Sequence, residues 1–184
     1  MAKFEGYTKK QYIEMDRMFY PKRYSKENFI GRLLYTEMDL LRRFVKALRS
    51  EEFYTFVKPN KLLKYYYQRK KNRLGVKLGF FIPAGCFDKG LHIAHYGSII
   101  INPLAKIGKN CTIHGVCCIG NTGDDTTGLP QIGDNVDIGQ NAQILGNITI
   151  ANGVKIGAGS IVLHSVLEEG ATVVGIPGRV VPKE

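Results

Sequence analysis

The chain of 184 residues predicts a mainly β protein, a parallel β-helix that follows an α-helical segment, on three observations. From Ile101 to Val174 an aliphatic side chain returns at every sixth position: Ile101, Ile107, Ile113 and Ile119, then, after one interruption, Ile132, Ile138, Ile144, Ile150, Ile156, Val162 and Val174. Four residues after most of them stands a small or β-branched side chain: Ala105, Cys111, Cys117, Val136, Ala142, Val154, Ser160 and Thr172. The charge is also divided, since residues 1–77 carry 20 Lys plus Arg against 8 Asp plus Glu, and residues 78–184 carry 6 against 8. A six-residue period fits neither a helix nor a two-residue strand alternation, but it fits short strands joined by tight corners that wind into a prism. Each corner turns one aliphatic side chain inward, and burying it contributes roughly 1.5 to 3 kcal/mol. The second inward slot lies close to the corner, where only a small group fits without overpacking. Glu168 is the one clear break in the register, in a Glu-Glu-Gly that reads as a turn.

The front of the chain, residues 1–77, reads as a basic helical cap. Thr8 is placed to cap a helix through Phe19 that Pro21 ends, and Ser25 to cap a longer one reaching about Arg49, with Ile30, Leu33, Leu34, Leu41, Phe44, Val45 and Leu48 at helical spacing. Ser50 followed by Glu51 and Glu52 suggests a third start, ended by Pro59. A last helix runs from Lys61 to Leu74, with Gly75 closing it. The basic run from Lys58 to Lys77, with Tyr65, Tyr66 and Tyr67 inside it, is read as a helix whose tyrosines pack on the β-helix while its cations are solvated. No nucleic-acid motif accompanies that charge. Basic residues near a site mouth would also favour anionic ligands such as a phosphorylated cofactor.

Composition narrows the class. No apolar run is long enough to span a bilayer, and Met1 to Thr8 has no apolar signal region. Of four cysteines, Cys111 and Cys117 hold the small inward slot, and Cys86 and Cys118 lack a metal-type spacing. A reducing, cytoplasmic protein is expected.

The body carries further motifs: the approach Gly90-Leu91-His92-Ile93-Ala94-His95-Tyr96-Gly97, the loop Gly120-Asn121-Thr122-Gly123, the segment Ala142-Gln143-Ile144-Leu145-Gly146-Asn147-Ile148 and the ending Gly175-Ile176-Pro177-Gly178-Arg179-Val180. With the hexapeptide register, these resemble the serine acetyltransferases, a family of hexapeptide-repeat acyltransferases. The match covers roughly Leu78 to Val181. What the resemblance implies is a left-handed β-helix over residues 78–184 with an extruded loop at 121–130, a homotrimer, and acetyl-CoA in the cleft between subunits. Pairing of two trimers through the helical cap is an open possibility. No metal is expected.

The implied reaction is acetyl transfer from a thioester to a hydroxyl. An alcohol is a poor nucleophile at pH 7, so a base of pKa near 7 is needed within hydrogen-bond reach, which points to histidine. His95 stands where the family motif has its catalytic histidine. His114, about one coil further along, is the second candidate. His92 lies three positions before His95, an odd spacing that puts the two on opposite faces of an extended segment unless the chain bends, so a surface or seam position is expected for it. His164 is expected at the surface. Gly157 and Ala158 match the segment that meets the pantetheine arm, and Arg179 matches a basic position near the nucleotide end.

The departures from the family bear on the acceptor. Where the family has an acid before the catalytic histidine, this chain has Ala94. Where it has an orienting acid fifteen residues upstream, this chain has Phe80; Asp88, Asp124 or Asp125 is expected to substitute. Where the family's loop reads Arg-His-Pro, this chain reads Gly128-Leu129-Pro130. A neutral sugar hydroxyl, such as one on a polysaccharide precursor, is therefore expected over L-serine, with Tyr96, Asn102, Thr126, Thr127 and Leu129 supplying hydroxyl partners and apolar surface. Two other classes are kept open: a zinc enzyme of the γ-carbonic anhydrase type, whose histidine spacing neither His92 with His95 nor His114 meets, and an inert scaffold that binds no acetyl-CoA.

Overall fold

The computed structural model describes residues 7–16, 33–123 and 128–182. Two compact units divide the chain, Met1–Leu78 and Gly79–Glu184.

In the first unit, α1 (Lys9–Glu14) opens with a capping box: Thr8 Oγ1 accepts from the Gln11 amide at 3.3 Å, and the Thr8 amide donates to Gln11 Oε1 at 2.9 Å. Its expected extension to Phe19 lies beyond the described residues, as does the expected start at Ser25. The long helix, α2 (Glu37–Glu52), begins after Thr36, with Glu37 and Asp39 at the positive end of its dipole and Arg49 in its last turn. A new helix was expected at Ser50, but the chain does not break there. Ser50 Oγ donates back to the Lys46 carbonyl at 2.7 Å, as a residue inside a helix does, and α2 passes into a wide turn over Phe53–Val57. Asn60 then caps α3 (Lys61–Leu78), its Oδ1 accepting from the Leu63 amide at 3.0 Å. Gly75 does not close α3 either. It is buried within the helix, and the stop comes at Gly79, where φ is +78°. Arg49 is fully buried and answered by Asp16 at 2.7 Å and Glu52 at 2.8 Å, while Lys71 meets Glu51 at 2.9 Å. Tyr65 and Tyr66 are exposed, and Tyr67 stacks on Tyr54 at 5.7 Å within the helical unit.

The second unit is a parallel β-helix of three sheets. Its strands are β1 (Phe80–Phe81), β2 (His92–Ile93), β3 (Ile99–Ile101), β4 (Lys106–Ile107), β5 (Thr112–Ile113), β6 (Cys117–Gly120), β7 (Gln131–Ile132), β8 (Asp137–Ile138), β9 (Gln143–Leu145), β10 (Thr149–Ile150), β11 (Lys155–Ile156), β12 (Ile161–Val162), β13 (Thr172–Val174) and β14 (Arg179–Val181). One face runs β1-β3-β6-β9-β12, the second β4-β7-β10 and the third β2-β5-β8-β11-β13, closed by β14 pairing antiparallel with β13. Ile93, Ile113, Ile138, Ile156 and Val173 stack on the third face, each paired with the next in register and each at most 3% exposed. Ala105, Cys111, Cys117, Val136, Ala142, Val154 and Ser160 fill the small slot, all buried.

Besides the seven residues added at the extruded loop, two irregularities in coil length shape the molecule. Ile156 pairs with Val173, not Val174, because the corner after Val162 is two residues short, with Val166 already level with Ile150, and the Glu168-Glu169-Gly170 turn restores only one of them. Val174 and Thr172, expected inside, face out, and Val173 and Ala171 take their slots. At the other end, Ile93 aligns with Ile113 and Ile99 with Cys117, so the corner after β2 holds two residues more than the corner after β5. Those extra residues belong to the segment His95-Tyr96-Gly97-Ser98. Among the described residues no helix is long and apolar enough to cross a membrane.

Candidate active site

The third face presents its outward side chains in two columns flanking the buried aliphatics. One reads His92, Thr112, Asp137 and Lys155, and the other Ala94, His114, Gly139 and Gly157, because each precedes or follows an inward residue in register. His92 Nδ1 lies 3.4 Å from Thr112 Oγ1. His114 Nε2 lies 3.1 Å from Asp137 Oδ1, with the two side chains 36% and 51% exposed. The His114 backbone is pinned: its amide donates to the Ile138 carbonyl at 3.0 Å, and its carbonyl accepts from Cys117 Sγ at 3.0 Å. His95 is exposed on the longer corner.

That corner is the bend an extended strand lacks. Gly97 sits at φ +133°, and a Cβ on Gly115 would come within 2.5 Å of the Tyr96 carbonyl, so the two corners stack backbone on backbone. Beside them Val116 holds φ +63°, a left-handed conformation that a β-branched residue rarely adopts. His92, expected at the surface or seam, is half-buried on the third face. Burial lowers its pKa, the positive charge of a protonated His114 lowers it further, Asp137 opposes this, and His95 again lowers it. The three histidines and Asp137 form one electrostatic cluster.

The carboxylate beside a histidine is Asp137, which sequence reasoning did not single out. Asp88 lies elsewhere, its Oδ1 accepting from the Lys89 amide, and Asp124 and Asp125 lie outside the described residues. The signal was present: seven residues added to an eighteen-residue coil at the extruded loop place Asp137 directly over Thr112, as the pairing of Ile113 with Ile138 shows.

The remaining candidates separate. Tyr96 is 60% exposed on the long corner. Asn102 is half-buried, and its Oδ1 accepts from the Leu104 amide at 3.1 Å, so it shapes a turn. Leu129, expected as acceptor-facing surface, is 7% exposed, drawn into the core where the loop rejoins the prism; Thr126 and Thr127 lie outside the described residues. Gly157 donates its amide to the Val173 carbonyl at 2.8 Å and accepts from the Ser160 amide at 3.2 Å. Its lack of a side chain answers to packing, since a Cβ would stand 2.9 Å from Val174 Cγ1. Ala158 is exposed at the same corner, and Arg179 is exposed on β14. His164 is exposed. Among the described residues no group of three or more His, Cys, Asp or Glu side chains is arranged to hold a metal ion.

Residues 130–164 match the family described as bacterial transferase hexapeptide (six repeats). The serine acetyltransferase of Staphylococcus xylosus is 43% identical over 103 residues, covering 55% of this chain and 47% of that one. The crystal structure of Neisseria gonorrhoeae serine acetyltransferase superposes with a TM-score of 0.69 at 30% identity, covering 95% of this chain and 67% of the other. The chain belongs to the serine acetyltransferase-like hexapeptide-repeat acyltransferases. Its winding is accordingly left-handed. The Neisseria enzyme has also been solved in complex with serine, at a TM-score of 0.68 and 29% identity, covering 95% of this chain and 69% of that one. The serine acetyltransferase of Brucella abortus has been solved with coenzyme A, at a TM-score of 0.68 and 25% identity, covering 94% of this chain and 67% of that one. The chain spans about half the length of the curated relatives it matches.

Proposed function

We propose that the chain is an acetyl-CoA-dependent O-acetyltransferase in which His95 takes the proton of an acceptor hydroxyl as that oxygen attacks the thioester carbonyl. The resulting tetrahedral oxyanion re-forms the carbonyl and expels the CoA thiolate, which takes the proton back from His95, and no protein nucleophile is needed. The observation that carries the reading is the cluster of His92, His114 and Asp137 on one face, with His95 on the adjoining corner within electrostatic reach of His92, in a fold shared with serine acetyltransferases. His114 adds a specific chemistry. Its Nε2 lies 3.1 Å from Asp137 Oδ1, so the carboxylate holds the ring in place beside the reacting groups, where a donor for the developing oxyanion is needed. For the co-substrate, Ala158 supports contact with the pantetheine arm better than Gly157, whose amide and carbonyl are both engaged in the prism. Arg179 suits a CoA phosphate.

L-Serine is the acceptor the relatives favour over the sugar hydroxyl read from the sequence. Asp137 supplies the anion that an ammonium group needs and that Ala94 does not. A neutral glycan hydroxyl is the second reading, on the specific ground that Ala94, Gly128 and Leu129 bring no charge where the family carries an acid and an arginine. Assembly as a homotrimer is part of the proposal. Phe81, Ile100, Cys118, Gln143 and Ile161 line up outward on the first face, and Phe81 and Ile100 are 58% and 48% exposed, a column apolar at every position but Gln143 that a threefold contact would cover. Acetyl-CoA turnover with a panel of amino acids and sugars tests the function. Serine turnover supports the first acceptor, sugar turnover the second, and absence of both refutes the transferase reading.

A further inference from the structure

The strongest concentration of charge lies far along the sequence from the histidine cluster, in the helical unit. A groove of about 740 Å³ runs between α2 and α3, within the range of small-molecule sites. Arg42, Arg43 and Lys46 line it from α2, and Arg69, Arg73 and Lys77 from α3. Among the described residues no carboxylate lines it, and α3 has no acidic residue along its whole length. Asp39 answers Arg42 at 2.6 Å and Arg43 at 2.7 Å from α2, whereas Arg69, Arg73 and Lys77 are exposed. Like charges converging within a Debye length, about 10 Å, repel, and the repulsion is relieved when an anion enters between them. One wall is aromatic: Tyr66 and Tyr67 meet edge to face at 5.0 Å, and Tyr66 is 59% exposed.

We propose that this groove binds a small ligand that carries two or more adjacent phosphates next to a planar ring, the chemistry of a nucleotide. Guanidinium forks from both helices match phosphate oxygens in bidentate geometry, and the groove is too large for a single phosphate to reach all of them. The tyrosine wall takes the ring. A bilayer surface, flat on this scale, cannot reach cations set on the two walls of a groove. The site goes beyond acetyl transfer and does not depend on it.

The test uses the full chain, titrated by calorimetry with ADP, tripolyphosphate and CoA at low and high salt. Saturable ADP binding that weakens with salt is expected, with tripolyphosphate binding less tightly for want of the ring. Arg69→Glu combined with Arg73→Glu should weaken ADP at least about tenfold, while acetyl-CoA turnover at saturation stays unchanged. If circular dichroism shows that the double variant does not fold, Arg73→Gln alone is expected to weaken ADP about threefold. CoA that displaces ADP, with the same loss in the variant, assigns the phosphates to the co-substrate; ADP that CoA leaves in place assigns them to a separate nucleotide. No saturable binding of ADP or tripolyphosphate, binding that the variants leave intact, or binding only to vesicles of anionic phospholipid overturns the proposal.

Discussion

His92 shows how a single side chain records its neighbours. Burial and the adjoining His114 and His95 depress its affinity for a proton below the ordinary value of 6.5, with Asp137 opposing. An unfolded chain binds that proton near pH 6.5, while the folded one resists it. The contribution to stability is therefore complete above about pH 6.5 and is lost as pH falls through the lower folded value. The melting temperature should drop between pH 7.5 and 5, and His92→Gln should flatten the drop; an equally steep profile in the variant would remove His92 from the account. At the same scale, His95→Ala should lower kcat by roughly 10²- to 10⁴-fold with CoA binding little changed. Asp137→Asn, which keeps the shape but removes the anion paired with His114, should cost kcat about tenfold to a hundredfold. Wild-type rates in His95→Ala would move the base to His114.

Among the elements, the inward ladder of the third face carries the fold. Ile138 sits in its middle, fully buried between Ile113 and Ile156, on strands two residues long. Neither strand neighbour can collapse toward it without leaving register, so Ile138→Ala should destabilise by about 2 to 5 kcal/mol, measured by denaturant titration. A loss below about 1 kcal/mol would mean that the ladder relaxes, which close packing argues against. The ladder was legible because its period belongs to no other fold element. Its irregular steps were not: the one-residue deletion that exposes Val174 and the two-residue expansion that carries His95 are set by which backbones pair, and a six-residue count cannot see a corner lengthen.

At the scale of the whole molecule, the outward column of Phe81, Ile100, Cys118, Gln143 and Ile161, apolar at all but Gln143, leaves Phe81 and Ile100 exposed in a single chain. Sedimentation at micromolar concentration should show a species of three times the 20.6 kDa chain mass. Ile100→Lys, which places an ammonium in that column, should shift it toward monomer. A monomeric wild type would leave the column without a partner and remove the cleft in which the family binds its co-substrate. The charge division of the chain has its own counterpart in the helical unit, where the cations of α2 and α3 converge on one groove.

By itself the sequence determined the β-helix, the two inward slots, the cysteines that fill one of them, and the family motif around His95, because these depend on residue type at fixed spacing. It also marked the capping box at Thr8, a local hydrogen-bond pattern. Tertiary structure alone decided that α2 runs through Ser50 and α3 through Gly75, since burial outweighs local cap and breaker signals. It alone brought Asp137 to His114 and turned His92 into the same cluster, because those contacts lie between coils, where an inserted loop and a lengthened corner set which residues stand side by side.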